Sequence, residues 1–129
     1  MIDIESQVFN YVSNALRAEY GNNISIYGEY VESPEQFPSV CLVEEDNAQL
    51  PENVTINREP ETICNLMYTV NVYSNLVTGK KKQAKDISEL IDDCMLALGF
   101  MRTMRAQIPN LDRTIYRVTT RYTQIYQKF

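Results

Sequence analysis

Histidine is absent from all 129 residues. That removes the commonest general base, the commonest transition-metal ligand and every histidine-based triad. Cysteine is scarce as well: Cys41, Cys64 and Cys94 are an odd number at wide spacings, which fits neither a disulfide framework nor a zinc site. They are expected as buried small apolar residues. Basic residues are outnumbered, 12 Lys and Arg against 17 Asp and Glu, for a formal net charge of -5. Affinity for phosphates comes mainly from clustered Lys and Arg, so this balance argues against a dedicated nucleic-acid binder. No apolar run reaches the length of a membrane span. The N-terminus, Met1-Ile-Asp-Ile-Glu-Ser, lacks the basic start and apolar core of a signal peptide. Residence in a cytoplasm is therefore expected, and Asn23-Ile-Ser25 and Asn53-Val-Thr55 are then incidental sequons. No internal repeat or low-complexity tract occurs.

What is present is globular in composition, 44% apolar and 22% charged, at a length suited to one domain spanning 1–129. In the first twenty residues Ile4, Val8, Tyr11, Val12, Ala15 and Leu16 recur at helical spacing, with Asp3 placed to cap the start and Gly21 to end it. Ile24 to Tyr30 alternates as a half-buried strand, and a turn with two prolines follows from Glu32 to Pro38. Ser39 to Glu44 reads as a central strand. From Asn47 to Ile63 the chain is polar, with Pro51, Pro60, three acids and Arg58, so a long connection is expected there, mobile until a partner orders it. Leu66 to Ser74 resumes alternation with Leu66, Tyr68, Val70 and Val72 on one face, which makes the two flanking strands a hairpin.

Ala84, Ile87, Ile91, Cys94, Met95 and Leu98 form the apolar stripe of a second helix that Gly99 should stop. Phe100 to Arg105 and Thr114 to Gln127 close the chain as strands around the turn-rich Ile108 to Asp112. In the last strand Tyr116, Val118, Thr120, Tyr122 and Tyr126 share one face, opposite Arg117, Thr119, Arg121 and Thr123. The order helix, three strands, helix, two strands predicts an α+β fold: a mostly antiparallel sheet of about five strands with two helices packed on one face.

Three sites of chemistry are weighed and set aside. Thr78-Gly-Lys-Lys-Lys82 after a strand has parts of a phosphate-binding loop, yet Ser74 stands where the first glycine is needed and Lys81 where a Ser or Thr should reach magnesium. The lysines read as a solvated first helical turn. Asp92-Asp93 and Glu44-Glu45-Asp46 offer oxygen ligands for Mg²⁺, but no basic or nucleophilic companion accompanies them, and they read as surface charge. A small nucleic-acid-binding domain would use the tyrosines and arginines of Tyr116 to Tyr126 as a stacking platform; alternation separates them onto opposite faces. No catalytic, metal-binding or cofactor-binding residue is singled out.

The chain resembles a known family in several places at once. These are Val70-Asn-Val-Tyr-Ser-Asn75, Gly79-Lys-Lys with the following Ala84-Lys-Asp-Ile87, Leu98-Gly-Phe100 with Arg102, Pro109-Asn-Leu-Asp112 and Thr114-Ile-Tyr-Arg-Val-Thr-Thr-Arg-Tyr122. Together with Ile2-Asp-Ile-Glu5, Gly28-Glu-Tyr30 and Phe37-Pro38, these resemble phage and prophage tail terminator, or tail completion, proteins, also labelled minor capsid proteins. The resemblance covers nearly the whole chain. It implies a non-enzymatic virion assembly protein: a homo-oligomeric ring, typically of six copies, that caps the tail tube, ends its polymerisation and presents the head-tail joining surface. The implied partners are further copies, the major tail tube protein and a connector protein of the neck, with DNA passing through the lumen without specific recognition, and no membrane. The implied location is the virion tail or neck, after assembly in the cytoplasm of a bacterial host. A head-closure or connector protein of the neck is the alternative within the same class.

A ring of identical subunits needs two different complementary surfaces. The acidic connection, with Glu52, Val54, Ile56, Arg58 and Glu59, is the expected first surface; Arg102, Arg105, Arg117 and Arg121 on the last two strands are the expected second. Complementary charge of this kind can set register and orientation.

Overall fold

The structure, a computed structural model, describes residues 1–31, 34, 36–50, 63–109 and 112–127. Helix α1 (Glu5–Tyr20) is followed by β1 (Ser25–Tyr27), β2 (Ser39–Gln49), β3 (Ile63–Ser74), α2 (Lys80–Ala97), β4 (Met101–Gln107) and β5 (Tyr116–Gln127). The element order is the one the sequence predicts. The five strands form one sheet in the order β1-β2-β3-β5-β4. All pairings are antiparallel except β1 with β2, which is parallel, so the sheet is mixed.

Alternation decides which side each strand buries. On β3 the residues Leu66, Tyr68, Val70 and Val72 point to the helices, and the register pairs them with Gln124, Tyr122, Thr120 and Val118 of β5 on the same side. Val8, Val12 and Leu16 of α1 and Ala84, Ile87, Ile91, Cys94 and Met95 of α2 come down on this face at helical spacing. One apolar cluster results among the described residues, and Cys41, Cys64 and Cys94 are all buried. No helix is long and apolar enough to cross a membrane among the described residues.

Several boundaries differ from the sequence reading, each for a local reason. Ile4 and not Asp3 is the N-cap of α1; Asp3 instead accepts a hydrogen bond at Oδ1 from the Glu5 amide, 3.1 Å away. Tyr11 sits at the right helical spacing but is 47% exposed, because the buried stripe is the narrower one through Val8, Val12 and Leu16. β1 has three residues rather than seven, since β2 offers it partners only at Ser39, Val40 and Cys41. β2 runs on to Gln49 and β3 starts at Ile63, so the hairpin is longer than expected on both sides. A bulge between Glu44 and Asp46 permits this extension: it absorbs one residue and lets polar Asp46 to Gln49 keep pairing. A second bulge, between Arg102 and Met104, lengthens β4 to Gln107. The connection expected over Asn47 to Ile63 thus loses both ends to strands, and residues 51–62, with the expected interface residues Glu52, Val54, Ile56, Arg58 and Glu59, lie outside the described residues.

Gly21 and Gly99 both end helices with positive φ, 63° and 91°. The backbone of Gly21 donates to the Arg17 carbonyl at 2.8 Å and closes α1, as expected from the sequence.

Candidate interaction surfaces

The strand register resolves where the four predicted arginines stand. Arg102 and Arg105 pair opposite Tyr122 and Thr120 and so project on the helix-facing side of edge strand β4. Arg117 and Arg121 alternate with those positions and project from the other side of the sheet. The expected single basic face is therefore two separate groups, and the last two strands divide their arginines between opposite sides because the side-chain period is 2.

On the helix-facing side, Arg102 Nη1 lies 2.9 Å from Asp92 Oδ1, and the hydroxyl of fully buried Tyr122 donates to that same oxygen at 2.9 Å. Burial first, with the Asp92 carboxylate adding to it, pushes the Tyr122 phenol above its ordinary range. Asp92 is thus a structural anchor between α2 and the β4–β5 edge, not the free surface charge that its place in Asp92-Asp93 implied. Neighbouring Asp93 points to solvent. Replacing Asp92 by Ala removes the carboxylate that accepts from the buried Tyr122 hydroxyl and pairs with Arg102, and a loss of about 1–3 kcal/mol is expected. Asp93→Ala should stay within about 0.5 kcal/mol of the parent, and paired thermal melts check the contrast. Arg105 Nη1 is 4.0 Å from Glu89 Oε1, a looser pair at an exposed position that contributes little.

On the opposite side, Asn71 is the centre of a polar cluster. Its Oδ1 accepts from Thr119 Oγ1 at 2.6 Å and from Arg117 Nε at 3.1 Å, and the Arg117 guanidinium lies 5.6 Å from the Tyr73 ring centroid. Arg121 approaches Glu45 at 3.8 Å across the sheet. Both arginines are thereby oriented by side chains of β2 and β3. Towards the other end of this side the polar cluster gives way to Met101 and Ile125, 64% and 65% exposed.

At the β2 edge, Glu44 separates from its sequence neighbours. Glu44 shares the helix-facing side with Tyr68, whose hydroxyl donates to Glu44 Oε1 at 3.4 Å, while the bulge turns Glu45 and Asp46 away. Neither acidic run offers a converging set of ligands. Among the described residues the carboxylates that converge are Asp3, Glu5 and Glu44, whose oxygens lie within 4.8 Å of one another. Nothing in the local sequence shows this, because Glu44 is brought to the N-terminal segment only by folding. Asn47 helps hold the segment, donating from Nδ2 to the Ile2 carbonyl at 2.7 Å.

Crowding has a measurable consequence. Partial burial, then the Glu5 charge, raises the Glu44 pKa, and the Tyr68 hydrogen bond only partly opposes this. With the folded value above the unfolded one near 4.3, the folded chain binds more protons than the unfolded chain between the two. Glu44 therefore favours folding below the unfolded pKa, and this contribution is lost as pH rises through the folded pKa. Glu44→Gln keeps an acceptor for Tyr68 and removes the charge. The variant should melt higher than the parent at pH 7, with the difference shrinking towards pH 4, in melts recorded across that range.

The tyrosines and arginines expected on opposite faces of β5 are on opposite faces. Tyr122 is buried under the helices, Tyr116 and Tyr126 pack against the core, and no combined stacking and phosphate platform forms on this strand.

No family model matches the chain, and no curated protein matches it. Among solved structures the chain is similar to a chain in the virion of a native gene transfer agent particle. The TM-score is 0.70 with 12% sequence identity, over 96% of this chain and 94% of that chain. At that identity the likeness shows a shared fold, spanning nearly the full length of both.

Proposed function

We propose that this chain is a structural virion protein of a phage-like particle, a tail terminator: a ring of copies that seats on the end of the tail tube, stops its growth and carries the surface for joining the head. The observation that carries this reading is the end-to-end match of fold to a chain of a gene transfer agent virion. The motif order from Val70 to Tyr122 narrows the reading to tail completion. The partners are further copies of the chain, the tail tube protein and a neck connector, and the place is the tail or neck of the particle. No step of the proposed role requires chemistry at a residue. It requires surfaces, and the two charged edges and the side of the sheet bearing Arg117 and Arg121 supply candidates.

Tube growth tests the reading. Tail tube protein polymerised with and without the purified chain should give short, capped tubes in the first case and tubes of open-ended length in the second. Equal length distributions, with no chain bound to tube ends, would overturn the terminator role. Binding to tail-less heads in place of tubes would move the chain to the neck.

A further inference from the structure

The register places Glu44, Tyr68, Tyr122 and Arg102 in one row across β2, β3, β5 and β4, all on the helix-facing side. The two ends of that row carry opposite charge. At the β2 end lies a hollow of roughly 330 Å³ lined by Asp3, Glu5, Ser6, Phe9, Asn10 and Gly28. Glu44 closes against its acids, and none of the three carboxylates has an ion pair among the described residues. Across the sheet, a groove of roughly 330 Å³ runs between α2 and the β4–β5 edge, where Lys81, Lys85 and Arg105 meet Gln107 and Tyr116.

The lysines of this groove are not explained by the subunit that carries them. Lys81 and Lys85 are exposed and form no ion pair among the described residues. They occupy the first two turns of α2, where the helix already presents partial positive charge and where the first turn holds no acid to offset it. Placing cations there costs stability, and packing within one subunit gives no return for it. Both outer edges of the sheet are also open among the described residues: β1 covers β2 only at Ser39, Val40 and Cys41, and β4 has β5 as its single neighbour. Open edges are sites where another chain can approach closely.

We infer that a second copy of this chain docks head to tail across these edges, with Lys81 and Lys85 of one copy entering the hollow beside Asp3 and Glu5 of the next. The inference rests on the ring proposed above and names its contact. The hollow lies at the β1–β2 side of the sheet and the groove at the β4–β5 side, so the contact joins two different surfaces and is heterologous. A heterologous contact without climb closes on itself, whereas one with climb makes a filament. Charge also fixes the order of the copies, since acid against acid or base against base is repelled.

Charge exchange tests this directly. The concentration at half-assembly is measured by sedimentation and on tail tubes, for the parent and for Lys81→Glu/Lys85→Glu and Asp3→Lys/Glu5→Lys, with circular dichroism melts confirming that each variant folds. Either variant alone should need at least a tenfold higher concentration. An equimolar mixture of the two should return to near the parental value, because every junction of an alternating ring is again acid against base, and the quadruple variant should assemble by itself. Should either double variant fail to fold, the milder Lys81→Gln/Lys85→Gln change should still weaken assembly and steepen no salt dependence, while the parent weakens with added salt. Variants that assemble like the parent, or a mixture no better than its components, would overturn this contact while leaving the ring intact. A parent that stays monomeric both in solution and with tubes would overturn the contact and the ring together.

Discussion

Ile91→Asp is expected to leave no folded protein. Ile91 is fully buried at the middle of α2, between Ile87 and Met95, and faces the central strands from above. An ionised carboxylate there has no cation within the apolar cluster, so it must either remain charged in a dry site or take up a proton at a cost set by its raised pKa. The lost isoleucine packing adds to that cost. The sum is about 5 kcal/mol or more, comparable with the whole stability of an ordinary domain. Circular dichroism should show loss of the cooperative melt. Lys81→Ala, ten residues earlier on the exposed side of the same helix, should melt within a degree or two of the parent, because surface substitutions of this kind change stability little. The reverse ranking would mean that α2 is rotated about its axis from the orientation described.

Tyr68→Ala is the second large effect. Tyr68 is fully exposed to the core and not to water: it lies on central strand β3, meets the Phe100 ring edge to face at 5.2 Å, and bonds Glu44 through its hydroxyl. Truncation leaves a cavity under both helices and costs about 3–5 kcal/mol, which lowers the melting temperature on the order of 10 °C or more. Tyr68→Phe keeps the ring and loses only the hydroxyl, a change of about 1 kcal/mol. A tenfold disparity in the melting shifts is not required, but alanine must cost several times more than phenylalanine. Equal losses would show that the hydroxyl bond to Glu44, and not the ring, holds this part of the core.

The elements legible in the sequence are those whose burial is periodic. Val8, Val12 and Leu16, the α2 stripe, and alternating Leu66 to Val72 each carry their period in the chain and sit in the core as it predicts. Two kinds of feature were not legible. Pairing can extend a strand past its apolar part, as β2 does from Asp46 to Gln49, since the hydrogen bonds come from β3 and the side chains need not be buried. Side chains distant in sequence can also be joined by the fold. Asp92 meets Arg102 and Tyr122 across α2 and two strands, and Glu44 meets Asp3 and Glu5 across α1. Asn71 had a faint signal, as a polar residue on the side of β3 opposite Leu66 to Val72, yet its partners Arg117 and Thr119 lie on β5, beyond any local pattern. For the four arginines the period of 2 was available in the last strand, and the structure extends it to β4: Arg102 and Arg105 go to the helix-facing side, Arg117 and Arg121 to the other.

The central claim is that the chain sits in a ring at one end of a tail tube. Electron microscopy of purified particles carrying a labelled copy of the chain tests it most directly. The label should mark one point per particle, at the junction of tube and head, with a ring of density there that disappears when the chain is left out. Label distributed along the tube, or particles that are complete and of normal tail length without the chain, would contradict it.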